Sequence, residues 1–181
     1  MTHSGIELVN VVGAGEIGVE IDLSAVNADI NLNSKYNPDN HTGMHIRLDN
    51  NALITLYRTG SYHVVGVNSK NELYSSRNTF MNSLEDMGID VSIDNDSFSV
   101  RNIVGTASLS SPIELNETSI KLGLEQIEYE PEQFPGLIYR PESSKGVVLM
   151  FSSGKLVITG IQTSDEATDI LNNVKRTIGI S

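Results

Sequence analysis

The chain of 181 residues has no cysteine and no tryptophan. Without cysteine there is no disulfide, no thiolate zinc site and no cysteine nucleophile, a composition that suits a reducing interior. No apolar run approaches the roughly 18 unbroken residues of a membrane-spanning helix, and no basic-then-apolar leader opens the chain. Basic residues are scarce: 12 Lys and Arg face 23 Asp and Glu, a formal net charge of −11. Taken alone, that deficit argues against non-specific nucleic-acid binding, which needs a basic face to displace counterions. Net charge does not describe any one face, however. Five basic residues stand against eleven acidic ones up to Ser92, and seven against twelve from Ile93 on, so the acid forms no tail. A catalytic constellation is missing too: the four His are scattered among turns and strands, and no Ser is followed by elbow glycines. With 39% hydrophobic residues the chain can still bury a core. The expectation is a soluble, cytoplasmic, non-enzymatic protein that needs no metal or cofactor and avoids the membrane.

One stretch suggests otherwise. "VVGAGEIG" reads Gly13-x-Gly15-x-x-Gly18 directly after an apolar run, the pattern of a dinucleotide-binding turn. Yet Val19, Ile21 and Leu23 follow with a period of two, poor for an immediate helix, and no buried strand ending in an acid lies at the required distance. The rest of the chain supplies a second argument. Asn10-Val11-Val12-Gly13 meets Asn102-Ile103-Val104-Gly105 at an offset of 92. "YNPDNHTGMHIR" from Tyr36 meets "YEPEQFPGLIYR" from Tyr129 at 93, and "LYRTGSYHVVGVNSKNE" from Leu56 meets "MFSSGKLVITGIQTSDE" from Met150 at 94. Three blocks in order make a tandem duplication, read as repeats 5–92 and 93–181 of one intimate two-repeat domain. In the second copy Gly15 becomes Ala107 and Gly18 becomes Ser110. The glycines therefore read as local turn residues leaving the first strand, not as a phosphate cradle.

Each repeat opens on an alternating strand, Ile6-Leu8-Asn10-Val12 or Phe98-Val100-Asn102-Val104. A short helical segment follows, with Ser24 or Asn116 as its candidate cap. Three or four strands come next, punctuated at Tyr36-Asn37-Pro38-Asp39, Asp49-Asn50-Asn51 and Thr59-Gly60 and at their partners near Pro131, Ser143-Ser144 and Ser153-Gly154. A long helix closes each repeat. Leu73, Phe80 and Leu84 share a face before Gly88, as do Ala167, Ile170, Leu171 and Val174 before Gly179. That order predicts an α+β fold: one antiparallel sheet with helices on one face, leaving the other face to be solvated or to bind something.

The second repeat carries a resemblance. "RNIVG", "LGLEQIEYEP", "YEPEQFPGLIYR" and "VVLMFSSGKLVITG" are similar to the C-terminal repeat of archaeal TATA-box-binding proteins, almost without gaps from Phe98 to about Ile178. "VNVV", "EIDLSAV", "YNPD" and "LYRTG…VVG" extend it to a more diverged first repeat. The resemblance implies a saddle: a curved antiparallel sheet of about ten strands with pseudo-two-fold symmetry, helices on the convex face and A·T-rich DNA in its minor groove against the other. It implies that Asn10 and Asn102 donate to base acceptors beside Val12 and Val104, and that Phe134 and Phe151 wedge open a base step with Pro135 and Leu149 adjacent. Thr159 matches a base-contacting threonine; Arg140, Lys155 and the first-repeat Arg47 match phosphate contacts. In the first repeat His41 and Tyr57 occupy the wedge positions, Val65 stands for the threonine, Thr55 for the leucine and Ser61 for the lysine, so an asymmetric complex is expected. His41, His45 and His63 raise a metal question, but on a continuous strand His41 and His45 would lie about 13 Å apart, too far for one ion, so the histidines read as solvated or groove-facing. Glu130, Glu132 and Gln133 match the loop that holds transcription factor B.

The leading expectation is thus a promoter-binding initiation factor, associated with the nucleoid, that bends DNA and presents it to transcription factor B and RNA polymerase. Two alternatives stand beside it. One is a divergent paralogue acting through protein contacts with weak or altered DNA binding, in keeping with the diverged first repeat and acidic charge. The other is a nucleotide-binding enzyme built on the glycine pattern.

Overall fold

A computed structural model describes residues 5–91 and 97–180. The first repeat runs β1 (Ile6–Glu16), α1 (Leu23–Asp29), β2 (Asn33–Lys35), β3 (Gly43–Arg47), β4 (Leu53–Tyr57), β5 (Ser61–Val67) and α2 (Lys70–Asp86). The second repeats that order as β6 (Ser99–Ser108), α3 (Leu115–Leu122), β7 (Ile127–Glu128), β8 (Leu137–Tyr139), β9 (Val147–Met150), β10 (Lys155–Ile161) and α4 (Ser164–Ile178). A 3-10 turn at Leu124–Gln126 precedes β7. The ten strands form one open antiparallel sheet in the order β2-β3-β4-β5-β1-β6-β10-β9-β8-β7. The expected α+β class and strand count are found.

The chain divides into two compact units, and the division does not follow the sequence repeats. One unit is Asn10–Arg101; the other joins the residues up to Val9 with those from Asn102 onward. Each repeat therefore lends the beginning of its first strand to the other repeat's unit. Phe98, at the head of the second repeat, stacks on Tyr62 with ring centroids 5.6 Å apart and planes 5° from parallel. It also fills the space that Gly13 leaves open, where a Cβ would lie 2.7 Å from Phe98 Cε2. The exchange is reciprocal: a Cβ on Gly105 would lie 2.8 Å from Ile6 Cγ2.

In the Asn10–Arg101 unit the period-2 pattern of β3, β4 and β5 buries Met44, Ile46, Ile54, Leu56, Tyr62 and Val64. The period-3.6 face of α2 (Leu73, Phe80, Met81, Leu84) is buried as well, and α2 packs on β5. In the other unit Leu137, Val148, Met150, Leu156 and Ile158 are buried, with Ala167, Ile170, Leu171 and Val174 of α4, which packs on β10. The alternate strand residues of both units remain half-exposed or exposed.

Three local expectations need correction. Gly13 and Gly15 lie buried inside β1 rather than in a turn; only Gly18, at φ 88°, is in an irregular segment. The short helices are capped by Asp22, which accepts from the N–H groups of Ser24 and Ala25, and by Glu114, which accepts from Glu117 N–H. Ser24 and Asn116 fall inside the first turn, because buried Leu23 and Leu115 start each helix earlier. Along β1 the apolar alternation does not mark the core: Leu8, Asn10 and Val12 are half-exposed, while Val11, Gly13 and Gly15 are buried. Beside Gly13 the room a side chain would need is filled by Phe98 and by Leu73 of α2, an approach that glycine permits where a larger residue would not.

Candidate nucleic-acid interface

In the unit containing the second repeat, β-pairing assembles the uncovered face row by row. Thr106 of β6 pairs with Val157 of β10, Val157 with Leu149 of β9, and Leu149 with Ile138 of β8. All four are half-exposed, and three are apolar. Asn102, Val104 and Thr159 belong to the same phase of their strands and are likewise half-exposed. Phe151, in the β9–β10 connection, meets Phe134, in the loop before β8, edge to face with ring centroids 5.9 Å apart. The loop is held by Glu130, whose carbonyl accepts from the N–H groups of Gln133 and Phe134 at 2.9 Å each. Glu130, Glu132, Gln133 and Pro135 are exposed around it.

Asn102 is fixed by its neighbours. Its Oδ1 accepts from Gly160 N–H at 2.8 Å, and its Nδ2 lies 3.3 Å from Thr159 Oγ1. Gly160 offers that N–H at φ 77°, in a bulge that shifts the β6–β10 register. Asn10 has the same arrangement: its Oδ1 accepts from Gly66 N–H at 3.2 Å, with Gly66 at φ 84°. A backbone N–H can only donate, so it must face the amide oxygen and leave the NH2 turned away. Among the described residues nothing engages the Asn10 NH2. Each repeat thus presents an oriented amide donor at the same strand position.

In the Asn10–Arg101 unit Val12 and Val65 lie half-exposed on the uncovered face, and Val65 pairs with Leu53. The row equivalent to the one above reads Ala14, His63, Thr55, His45. The pair His41 and Tyr57 differs from the pair Phe134 and Phe151 in arrangement as well as in chemistry. His41 lies against His45, with ring centroids 5.5 Å apart, and Tyr57 against His63 at 5.7 Å. No ring contact joins His41 to Tyr57. The wide separation expected of His41 and His45 is wrong, because β3 begins only at Gly43 and His41 lies on the turn before it. Even so, among the described residues no three His, Cys, Asp or Glu gather as metal ligands. The sequence sets Thr55 in the leucine's place on the face and leaves His45 and His63 as solvated or groove-facing; the register brings all three into one row. Their signal was the spacing of two from Arg47, Val65 and Tyr57.

The basic residues stand at the rim. Arg140 Nε pairs with Glu128 Oε1 at 2.9 Å, and Arg47 Nη1 donates to Asn51 O at 3.0 Å. Lys155 is exposed at the start of β10, with no ion-pair partner among the described residues. No helix among the described residues is long and apolar enough to cross a membrane.

The profile of the family described as "Transcription factor TFIID (or TATA-binding protein, TBP)" matches residues 5–87 and again 97–179. TATA-box-binding protein C of Halobacterium salinarum is 43% identical over 164 residues, 90% of this chain and 91% of its own. The TATA-box-binding protein of Methanococcus aeolicus is 42% identical over 97% of this chain and 94% of its own. The solved structure of Methanococcus jannaschii TBP superposes with a TM-score of 0.84 at 38% identity, covering 97% of this chain and 98% of that one. A family profile matched twice, relatives matched over nearly their whole length and a common fold agree: the chain belongs to the TATA-binding protein family.

Proposed function

We propose that this protein is a general transcription initiation factor that binds an A·T-rich promoter box through the minor groove, bends it, and recruits transcription factor B and RNA polymerase. The observation that carries the reading is the duplicated amide, Asn10 and Asn102, each turned by a glycine N–H so that its NH2 faces away, with one hydrogen of the Asn102 NH2 directed at Thr159 Oγ1 and the other left to donate. The minor groove of an A·T pair offers only acceptors, adenine N3 and thymine O2, so a donor on an otherwise apolar surface suits it. Val12, Val65, Val104, Leu149 and Thr159 supply the rest of the contact surface. Phe134 and Phe151, half-exposed with Pro135 beside them, act as the wedge that unstacks a base step. His41 and Tyr57 take the corresponding places in the first repeat. Arg47, Arg140 and Lys155 contact phosphates, and the exposed Glu130, Glu132 and Gln133 face transcription factor B. The repeats, 5–92 and 93–181, work as one domain, on nucleoid DNA and without catalysis.

The test is binding and bending of an A·T box, with and without transcription factor B. A specific shift at low salt is expected, with both Phe134→Ala and Phe151→Ala reducing the bend more than Tyr57→Ala does. Equal losses would mean that the first repeat wedges normally. The absence of any specific shift would favour a second reading, a paralogue working through protein contacts, to which the net charge of −11 gives some support.

A further inference from the structure

The two repeats differ in chemistry at three equivalent positions of one row. Register pairing makes His63, Thr55 and His45 the equivalents of Val157, Leu149 and Ile138. At these three positions the second repeat is apolar and the first has a hydrogen-bonding atom on every side chain, whereas the fourth position of the row is Thr106 in the second repeat and Ala14 in the first. His63 is exposed, and Thr55 and His45 are half-exposed, so all three are accessible to a ligand laid on the face. His45 and His63 are not drawn into hydrogen bonds or ion pairs with described residues; their contacts are the rings of His41 and Tyr57.

What this difference does follows from the groove. A G·C pair differs from an A·T pair there by one group, the guanine 2-amino donor. Against Val157, Leu149 and Ile138 that donor would be dehydrated with nothing to accept it, a costly arrangement. Against an imidazole lone pair or a threonine hydroxyl it finds an acceptor, while the same groups can still donate to adenine N3 or thymine O2. We propose that His45, Thr55 and His63 make the first repeat tolerant of G·C pairs in its half of the box, while the second repeat demands A·T. This rests on the DNA-binding reading above. Its consequence is a composite recognition element, one half strict and one half permissive, with the polarity of the complex set by base composition.

The experiment measures affinity for an A·T-only duplex box and for every single G·C substitution within it. Tolerated substitutions are expected to cluster in one half, weakening binding by no more than about fivefold, against about tenfold to a hundredfold in the other half. In the variant H45I/T55L/H63V, which copies the second repeat's row, the tolerant half should become as strict as the other. The reciprocal variant I138H/L149T/V157H should instead create tolerance in the strict half. Thermal melts of each variant confirm folding, and either variant suffices. Equal intolerance in both halves of the box for the unaltered protein would overturn the inference alone. So would an unchanged substitution pattern in the folded variants. No saturable binding to the A·T-only box would overturn the DNA-binding reading and this inference with it.

Discussion

At the scale of single residues, the glycine pattern that suggests a nucleotide cradle has a packing role instead. Gly13 and Gly105 occupy equivalent positions, and each admits an apolar side chain from the start of the other repeat's first strand segment, Phe98 or Ile6. Gly13→Ala should therefore destabilise the fold by about 1–3 kcal/mol, because the added methyl has to displace an aromatic ring already stacked on Tyr62. Chemical denaturation measures this. A loss below about 0.5 kcal/mol would mean that Phe98 moves aside freely. Gly15 and Gly18 do not persist in the second repeat, where Ala107 and Ser110 stand in their places. Comparison of the copies shows Gly13 persisting as Gly105, yet the sequence reads all three glycines as turn residues and does not reveal that the first is needed for packing. The reason is a contact between residues far apart in the chain, and no local pattern carries it.

At the scale of elements, the helices were more legible than their beginnings. The faces built from Leu73, Phe80 and Leu84 and from Ala167, Ile170, Leu171 and Val174 are buried as their periodicity predicts. The ends at Gly88 and Gly179 hold too, with Gly179 left-handed at φ 77°. The caps of α1 and α3 were misplaced because Ser and Asn are favoured there by propensity, whereas a buried leucine decides where the turn starts. Glu114 is consequently a cap with a titration. The N–H of Glu117, then that of Asn116, holds its carboxyl below the ordinary carboxylate value. A lowered folded-state pKa gives stability that is present above the unfolded value and is lost as pH falls through the folded one. Glu114→Ala should thus lower Tm at neutral pH, with the gap closing in acid; a gap independent of pH would show that packing, not the charged cap, is what was lost. On α4, Thr163 and Glu166 form a capping box. Thr163→Ala should cost about 1 kcal/mol in a urea titration, and a neutral result would mean that the helix is held by its buried face alone.

At the scale of the whole molecule, the charge balance sets how DNA affinity depends on salt. Arg47, Arg140 and Lys155 are the basic residues proposed to meet phosphates, Arg140 is already paired with Glu128, and exposed Lys35 is the basic residue paired in register with His45. Few counterions would be released, so log affinity against log salt should have a slope no steeper than about −3. Glu128→Gln should release Arg140 and steepen it by about 1; a wild-type slope near −6 would mean that other basic residues reach the phosphates. The duplication, the α+β order and the difference between His41 and Tyr57 on one side and Phe134 and Phe151 on the other were readable in the sequence because each is a local pattern compared with its own copy. The exchange of strand beginnings was not, since it relates residues that no alignment of the repeats brings together. That exchange constrains how the protein is made. During synthesis, Tyr62 and Gly13 emerge long before Phe98, and Ile6 emerges long before Gly105. Neither unit can complete its packing while the ribosome is still in the first repeat, so the nascent chain must keep apolar surface waiting until its second half is under way.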